Sequence, residues 1–383
     1  MYIKEYQLLT QNTLRYNLQV VECNSFSLFD LSLSICMLAL LCLPLVSCSK
    51  GLELPETPEE TETVQATKEV NKKTEEKKTQ EETKEEADED REDPKEDNEM
   101  NVFFVSNSTC YYFTDELYGL LTSAGYENVT LALAYYSGCP LEKHYNWLQQ
   151  DNAGYKLRIV DEKGITMKDN YSMRMSLNLK NWDVISFDNN AATFGSGNAA
   201  TAIDICEPYF GKLHAYMKKN FPDARLLWHE VWAAEIGAKK STFEVNDKEK
   251  RTQIYEAKRD VMHHMMKEYG VEGVPTGDAW EKIRDLPLFT TPLKETPEIE
   301  RFTLNTRIIN GKIKDDFSHD GDIGGGQYLN ACVWFEILTG KSCLGNSFRP
   351  KYELDGKDLS LTEEKIALLQ KTAHETVAEF KGN

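Results

Sequence analysis

Three residues of this chain have the types and the order that acyl-transfer chemistry needs. Ser108 follows a short apolar run at 102–105, and Asp316 and His319 lie far downstream, three positions apart. A serine hydroxyl becomes a nucleophile when a histidine takes its proton, and a carboxylate holds that histidine in the right tautomer. The order therefore predicts Ser108 as nucleophile, His319 as base and Asp316 as the orienting carboxylate.

Two further apolar runs end in residues that can donate hydrogen bonds to a developing oxyanion. Gly138 follows the run at 129–136, and Asn189 and Asn190 follow the run at 182–187. A glycine lets the backbone come close to a ligand, and an amide side chain can donate to it. Taken singly, Ser108, Gly138 and the asparagines are also common turn residues, so a structural role is open for each.

The segment that contains Asp316 has a second interpretation as a calcium-binding loop. Asp316, Ser318, Asp320 and Gly321 fit the start of an EF-hand loop. Position twelve of that loop would be Gln327, however, where a bidentate glutamate is needed. The pattern thus favours the catalytic interpretation over calcium.

The remaining polar motifs carry weaker signals. No H-E-x-x-H motif is present, and the pair His263-His264 would point to different faces of a helix, so no metal site is expected. Asn107 and His144 are candidates for lining a pocket near the site, and for His144 a surface or packing role is equally open. Ser347 lies in a Gly-Asn-Ser sequence that also looks like a nucleophile turn, but it follows a predicted helix and comes after His319.

The first hundred residues do not have a globular composition. An apolar run at 31–46 ends in Leu45-Val46-Ser47-Cys48, which is typical of a lipoprotein signal peptide (1–48) whose cysteine becomes lipidated; an uncleaved anchor or a start placed too far upstream are the alternatives. The run is shorter than the roughly 20 residues of a spanning helix. Residues 49–100 are strongly acidic and lack aromatic residues, which predicts a disordered linker.

Charge and cysteine content limit the partners. The net charge is −19, and no basic stripe or zinc-finger spacing is present, so no nucleic-acid partner is expected. Of nine cysteines, five follow Cys48, and none belongs to a C-x-x-C pair. An odd number leaves at least one free thiol, and whether Cys110 and Cys139 are bonded stays open.

From residue 101 onward, strand and helix patterns alternate. Apolar runs predict strands at 102–105, 129–136, 182–187, 225–228 and 271–274. Amphipathic spacing predicts helices at 114–124, 206–220, 248–269, 326–338 and 359–381. Such alternation favours one α/β domain at 101–350, with a parallel sheet covered by helices and a site beyond the carboxyl ends of the strands. Residues 351–383 form an extension whose helix packs on this domain.

The ordered set of Ser108, Gly138, Asn189 or Asn190, and Asp316-x-x-His319 resembles the SGNH/GDSL hydrolase superfamily. Within it, the chain is similar to an uncharacterised lipoprotein subgroup of Bacteroides-like bacteria. The resemblance implies a three-layer α/β/α sandwich with a flavodoxin-like sheet and no cofactor. It also implies an oxyanion hole made by the N–H groups of Ser108 and Gly138 and one asparagine side chain, and an ungapped alignment favours Asn190 over Asn189.

The chain departs from the family pattern at two places near the site. Ser106 stands where the family has the glycine of its Gly-Asp-Ser turn, and Asp188 and Ala191 replace the glycine and the final aspartate of its Gly-x-Asn-Asp block. We expect an exported serine esterase, anchored through lipidated Cys48 in the periplasm or at the surface of a Gram-negative cell. Its substrate would be an acylated glycan, such as an acetylated one, or another small ester. The alternative is a catalytically degenerate surface lipoprotein that binds glycans or has a structural role.

Overall fold

A computed structural model describes residues 98–291, 294, 299 and 301–382. The predicted signal peptide with Cys48 and nearly all of the acidic linker lie outside the described residues. Within the described part, no helix is long and apolar enough to cross a membrane.

A seven-stranded sheet organises the molecule. Its strands, in chain order, are β1 (Met100–Val105), β2 (Val129–Tyr135), β3 (Tyr155–Asp161), β4 (Gly164–Tyr171), β5 (Val184–Phe187), β6 (Arg225–His229) and β7 (Glu272–Val274). They lie side by side in the order β4-β3-β2-β1-β5-β6-β7. The pairs of β2, β1, β5, β6 and β7 are parallel, whereas β3 and β4 extend the sheet in antiparallel fashion. The parallel part has the flavodoxin-like order 2-1-3-4-5.

Helices and small hairpins complete the chain. The helices are α1 (Thr114–Ser123), α2 (Leu141–Gln150), α3 (Met173–Leu177), α4 (Ala199–Asn220), α5 (Lys248–Tyr269), α6 (Thr276–Ile283), α7 (Gly326–Thr339) and α8 (Glu363–Gly382). Short 3-10 helices span Ser108–Cys110, Ala191–Phe194 and Pro287–Phe289. Two antiparallel pairs lie outside the main sheet, β8 (Thr306–Ile309) with β9 (Lys312–Asp315) and β10 (Glu353–Leu354) with β11 (Lys357–Asp358).

The sheet separates two apolar cores, which makes the fold a three-layer sandwich. Side chains alternate across a strand, so Val102 and Phe104 of β1 enter one core while Phe103 and Val105 enter the other. Helices α1, α7 and α8 cover the first face, and α2, α4 and α5 cover the second. The fold class predicted from the sequence is therefore confirmed.

The described part of the extension, residues 351–382, contributes to the first core. Helix α8 packs on α6 and α7, and its Ile366, Leu369 and Val377 are buried there. All five cysteines of the described part, including Cys110 and Cys139, are buried free thiols. A bond between Cys110 and Cys139, left open by the sequence, is thus absent.

Several elements of the described part were not predicted. Among them, the hairpin of β3 and β4 lengthens the sheet beyond β2, α2 follows Gly138, and α6 follows β7. Strand β4 is largely exposed at the sheet edge, so its sequence lacks the apolar run that identifies the buried strands.

Candidate active site

Ser108, His319 and Asp316 lie together beyond the carboxyl end of β1. Nε2 of His319 is 3.0 Å from Oγ of Ser108, and Nδ1 of His319 is 2.9 Å from Oδ2 of Asp316. Ser108 is partly exposed, and the side chains of His319 and Asp316 are 22% and 20% exposed. The serine therefore has a base within hydrogen-bond reach, and the base has a carboxylate on its other nitrogen. This is the switch point of the sheet: the chain runs from β1 to its neighbour β2 on one side and from β5 to its neighbour β6 on the other.

The turn that holds His319 is fixed by backbone hydrogen bonds. The N–H of His319 donates to the carbonyl of Asp316, which closes a turn and brings the two side chains to one side. Asn305 supports this turn twice, because its carbonyl accepts from the N–H of Asp316 and its amide donates to the carbonyl of His319. Asp316 and His319, three residues apart, are thus the first and last residues of a turn between β9 and α7.

The environment of Asp316 keeps this carboxyl ionised. Burial alone would raise its pKa, but the hydrogen bond from His319 and the positive charges of His319, Arg307 and Lys240 outweigh burial and lower the pKa to about 2. Arg307 lies 3.5 Å from Asp316 and stacks on the ring of Tyr112, which itself meets His319 edge to face. An ionised Asp316 can stabilise an imidazolium at His319.

The turn before Ser108 accepts a serine at position 106 without strain. Ser106 is not among the described residues with positive φ, so no glycine is required there. Its hydroxyl donates to Oδ2 of Asp188 over 2.7 Å. Ser106 and Asp188 are the two positions where the family pattern has glycine, and in this chain their side chains bond each other. The hydroxyl that Ser106 adds is therefore hydrogen-bonded by the carboxylate that Asp188 adds.

A buried polar cluster of Ser106, Asp188 and His229 lies beneath the exposed site. Each of these residues is 1% exposed. Burial raises the pKa of Asp188 to about 6, despite hydrogen bonds from Thr109 and Ser106, and burial together with the charge of Lys258 lowers the pKa of His229 to about 3. A substrate cannot contact side chains that are this inaccessible. The cluster resembles a triad in composition only.

Three atoms of this region also have the separations of metal ligands. Sγ of Cys110, Nδ1 of His229 and Oδ2 of Asp188 lie 3.4 to 3.8 Å from one another. A structural zinc ion takes four ligands, and no fourth His, Cys, Asp or Glu of the described part joins the group. Because hydroxyl groups of Ser106 and Thr109 already donate to Asp188, a hydrogen-bonded network accounts for the cluster better than a metal does.

The predicted oxyanion donors take different places. Gly138 has a φ of +60°, a conformation that favours glycine, and its carbonyl accepts from the amide of Asn190 over 2.9 Å. Asn190 is partly exposed beside it. Asn189 is 2% exposed, and its side chain bonds the N–H of Leu141, the N–H of Asn190 and Sγ of Cys206. Asn190 therefore suits the oxyanion role because it is partly exposed, and Asn189 does not, since it is 2% exposed.

Two candidate pocket residues turn inward, and the prediction for them is corrected. Asn107 is 2% exposed, and its side chain accepts from the N–H of Thr109 and donates weakly to Asp188. His144 is fully buried and bonds the hydroxyl of Tyr155. Both are shielded because they sit under the turns that follow β1 and β2.

The side chains that the calcium interpretation requires do not converge on one point. Asp316 faces His319, whereas the fully buried Asp320 accepts from the amide of Asn330. Gln327 donates to the carbonyl of Asp320 instead of supplying a carboxylate. The oxygen atoms that a calcium ion would need are therefore directed to different partners.

A cleft of about 540 Å³ opens beside the exposed site. Tyr112 and Arg307, which contact His319 and Asp316, form its near wall together with Tyr111 and Arg158. Sequence reasoning did not single out these residues, because tyrosines in a loop and arginines in β3 and β8 carry no recognisable motif. The cleft places an aromatic and cationic wall next to His319 and Asp316.

Comparison with known proteins gives a family match and a fold. The model of DUF4886, a domain of unknown function, matches residues 104–286 of this chain. No match was found among the curated proteins.

Among solved structures, a DUF4886 family protein from Bacteroides uniformis shares this fold. It is 20% identical, has a TM-score of 0.54, and the match covers 73% of this chain and 95% of that one. A candidate SGNH hydrolase from Slackia heliotrinireducens is 12% identical with a TM-score of 0.39, covering 62% of this chain and 97% of that one. A lipase/acylhydrolase from Enterococcus faecalis is 11% identical with a TM-score of 0.38, covering 63% and 96%. The fold that the sequence resemblance implies is thus confirmed by the Bacteroides uniformis structure.

Proposed function

We propose that the α/β domain of this chain is a serine hydrolase of the esterase type. The observation that carries this proposal is the continuous hydrogen-bonded path from Oγ of Ser108 through His319 to Asp316, with steps of 3.0 and 2.9 Å. Those are the contacts that activate a serine hydroxyl. The partial exposure of all three side chains lets an ester reach them.

In the proposed reaction, Oγ of Ser108 attacks the carbonyl carbon of an ester while Nε2 of His319 takes the hydroxyl proton. Nδ1–H of His319 donates to ionised Asp316, which stabilises the imidazolium that forms. The tetrahedral oxyanion accepts hydrogen bonds from the N–H groups of Ser108 and Gly138 and from the amide of Asn190. Collapse expels the alcohol, which takes the proton from His319. Water, activated by the same histidine, then releases the acid and restores Ser108.

For the substrate, we propose an acylated carbohydrate or another small ester. The cleft beside the triad supports a substrate of this size, because it adjoins His319 through Tyr112 and has a volume of about 540 Å³. Aromatic walls of this kind suit the apolar faces of sugar rings and aryl or acyl groups. The deacetylation of a glycan is one reaction within this class.

For the location, we propose export and membrane attachment through a lipid on Cys48. The support is the apolar run at 31–46 followed by Leu-Val-Ser-Cys. Incorporation of labelled palmitate into the expressed protein tests this: wild type should become labelled and Cys48→Ser should not. Equal labelling of the two proteins would contradict it.

A serine-directed fluorophosphonate probe and an aryl acetate test the activity in the full-length protein. We expect covalent labelling and turnover in the wild type, and Ser108→Ala should abolish labelling and lower kcat by at least about 10⁴-fold. The matched control is Ser347→Ala, because Ser347 also follows a Gly-Asn pair but is exposed and takes no part in the path from Ser108 through His319 to Asp316. That variant should label and turn over like the wild type.

The opposite result has an equally clear form. A folded wild-type protein that neither reacts with the probe nor hydrolyses the ester would contradict the proposal. It would favour the degenerate alternative, in which the same fold binds a glycan or has a structural role. Labelling that persists in Ser108→Ala would instead assign the nucleophile to another residue.

A further inference from the structure

One buried carboxylate gathers the side chains on both sides of Ser108. Oδ2 of Asp188 accepts from the hydroxyl of Ser106 over 2.7 Å and from the hydroxyl of Thr109. Oδ1 of Asp188 accepts, over 3.4 Å, from the amide of Asn107. Asp188 thus contacts the two residues before Ser108 and the residue after it, while Ser108 itself stays outside for His319.

The network continues below Asp188 in a defined direction. The hydroxyl of Thr276 donates to the carbonyl of Glu230 over 2.5 Å, so its oxygen accepts from Nε2–H of His229 over 2.9 Å. His229 is neutral because burial and the charge of Lys258 lower its pKa to about 3. Its Nδ1 is therefore an acceptor, and the thiol of Cys110 donates to it over 3.4 Å.

Given this direction of the hydrogen bonds, the main donors to Asp188 come from the turn that contains Ser108. The thiol of Cys110 lies closer to Nδ1 of His229 (3.4 Å) than to Oδ2 of Asp188 (3.8 Å), so the carboxylate takes its closer hydrogen bonds from Ser106, Asn107 and Thr109. The charged or titratable groups that face it are Cys110, His229 and Lys258, and of these only Lys258 carries a positive charge. Burial of a carboxylate is costly, so hydrogen bonds from several donors must offset it. An ionised carboxylate can accept hydrogen bonds on both of its oxygens, whereas an amide of the same size accepts on only one.

We propose that Asp188 is a positioning residue that fixes the Ser106–Thr109 turn and so aims Oγ of Ser108 at Nε2 of His319. This proposal rests on the proposed hydrolase function. Displacement of a reacting atom by about 1 Å can cost roughly 100-fold in rate, and a turn anchored on both sides of the serine prevents such displacement. The Ser106 hydroxyl, which a glycine could not supply, is one of the three anchors.

Kinetics of variants that remove single anchors test the proposal. Ser106→Ala and the nearly isosteric Thr109→Val each delete one donor and leave the carboxylate in place. Each should lower kcat, counted per probe-labelled site, about 3- to 30-fold with KM changed by less than about threefold. Asp188→Asn should lower kcat about 100-fold or more. Ser347→Ala again serves as the control and should match the wild type.

Hydrogen exchange separates this proposal from the proposed function. The amides of residues 106–110 should exchange faster in Ser106→Ala and Thr109→Val than in wild type, whereas the amides of α5 should not change. Faster exchange with lower kcat supports the positioning role. Unchanged exchange, or unchanged kcat in both single-donor variants whatever their Tm, overturns it. If the wild type has no turnover, the proposed function fails, and exchange alone then decides whether Asp188 anchors the turn.

Discussion

Two groups of serine, aspartate and histidine lie on either side of one turn in this protein. Ser108, Asp316 and His319 face solvent in part, whereas Ser106, Asp188 and His229 are each 1% exposed. The residue types are the same, but the order of contacts is not. In the exposed group, the histidine bridges serine and carboxylate. In the buried group, the serine bonds the carboxylate directly, and the histidine is occupied by Cys110 and Thr276.

The electrostatics of the two groups also differ. The pKa of Asp316 is lowered to about 2, because the hydrogen bond and charge of His319 outweigh burial, whereas burial raises the pKa of Asp188 to about 6. Only the exposed carboxylate is poised to stabilise an imidazolium. Solvent exposure and the order of hydrogen bonds, more than residue types, therefore distinguish the proposed active site from the buried cluster beneath it.

The largest expected contrast is between the two histidines. His319→Ala should lower kcat by about 10⁵- to 10⁶-fold, because no base remains for Ser108. His229→Gln should lower the free energy of unfolding by about 2–4 kcal/mol, because it breaks a buried network, and should keep kcat within about tenfold. Hydrolysis of an aryl acetate and urea unfolding measure the two effects. Equal loss of turnover per folded molecule in both variants would break the distinction between the groups.

The carboxylates give the next contrast. Asp316→Asn should lower kcat about 10⁴-fold, because it disturbs the tautomer of His319. The matched control is the neighbouring Asp315→Asn. Asp315 accepts from Thr303 and Thr306 and faces away from His319, so kcat should change by less than about threefold. A similar loss in both variants would mean that the hairpin as a whole, and not the carboxylate of Asp316, supports catalysis.

A smaller contrast concerns the two asparagines after β5. Asn190→Ala should lower kcat about 10²- to 10³-fold through loss of an oxyanion donor, with Tm little changed. Asn189→Ala should lower Tm more and kcat less, because the side chain of Asn189 bonds Leu141 and Cys206 inside the protein. Steady-state kinetics and thermal unfolding of both variants give the comparison. A larger kcat effect at Asn189 would exchange the two roles.

Much of the fold is readable in the sequence, because buried parallel strands appear as apolar runs. All five parallel strands were predicted, but β3, β4 and α2 were not. The hairpin is exposed along β4, and α2 has few apolar positions, because it buries only Leu141, His144 and Leu148. Local periodicity reports how an element is buried, so an edge hairpin leaves little trace.

For the site, the sequence identified the residues that the structure brings together, namely Ser108, His319 and Asp316. It did not predict that Asn107 and His144 would turn inward, since the direction of a turn side chain depends on what lies beneath it. The partners of Asp188 come from the ends of β1 and β6, and their meeting is a property of the sheet order. In the sequence, Ser106 is only a departure from the glycine of the family pattern. The structure shows that its hydroxyl donates to Asp188.

The smallest expected effects concern stability and pH, and they have opposite signs for the two carboxylates. Folded Asp316 has a pKa of about 2, below its ordinary value of 3.8. It therefore stabilises the fold above about pH 4 and loses this contribution as the pH falls towards 2. Asp188, with a pKa of about 6, holds a proton between about pH 4 and 6 that the unfolded chain releases. Its contribution is fully present below about pH 4 and is lost as the pH rises to 6.

Urea unfolding between pH 2 and 7 measures these signs in wild type, Asp316→Asn and Asp188→Asn. Relative to Asp316→Asn, the wild type should gain free energy of unfolding as the pH rises from 2 to 4. Relative to Asp188→Asn, it should lose free energy of unfolding as the pH rises from 4 to 6. Because the two residues lie on opposite sides of the same turn, differences of equal sign would mean that both carboxylates share one environment. Opposite signs require a solvent-facing carboxylate paired with a cation and a buried one held by neutral donors.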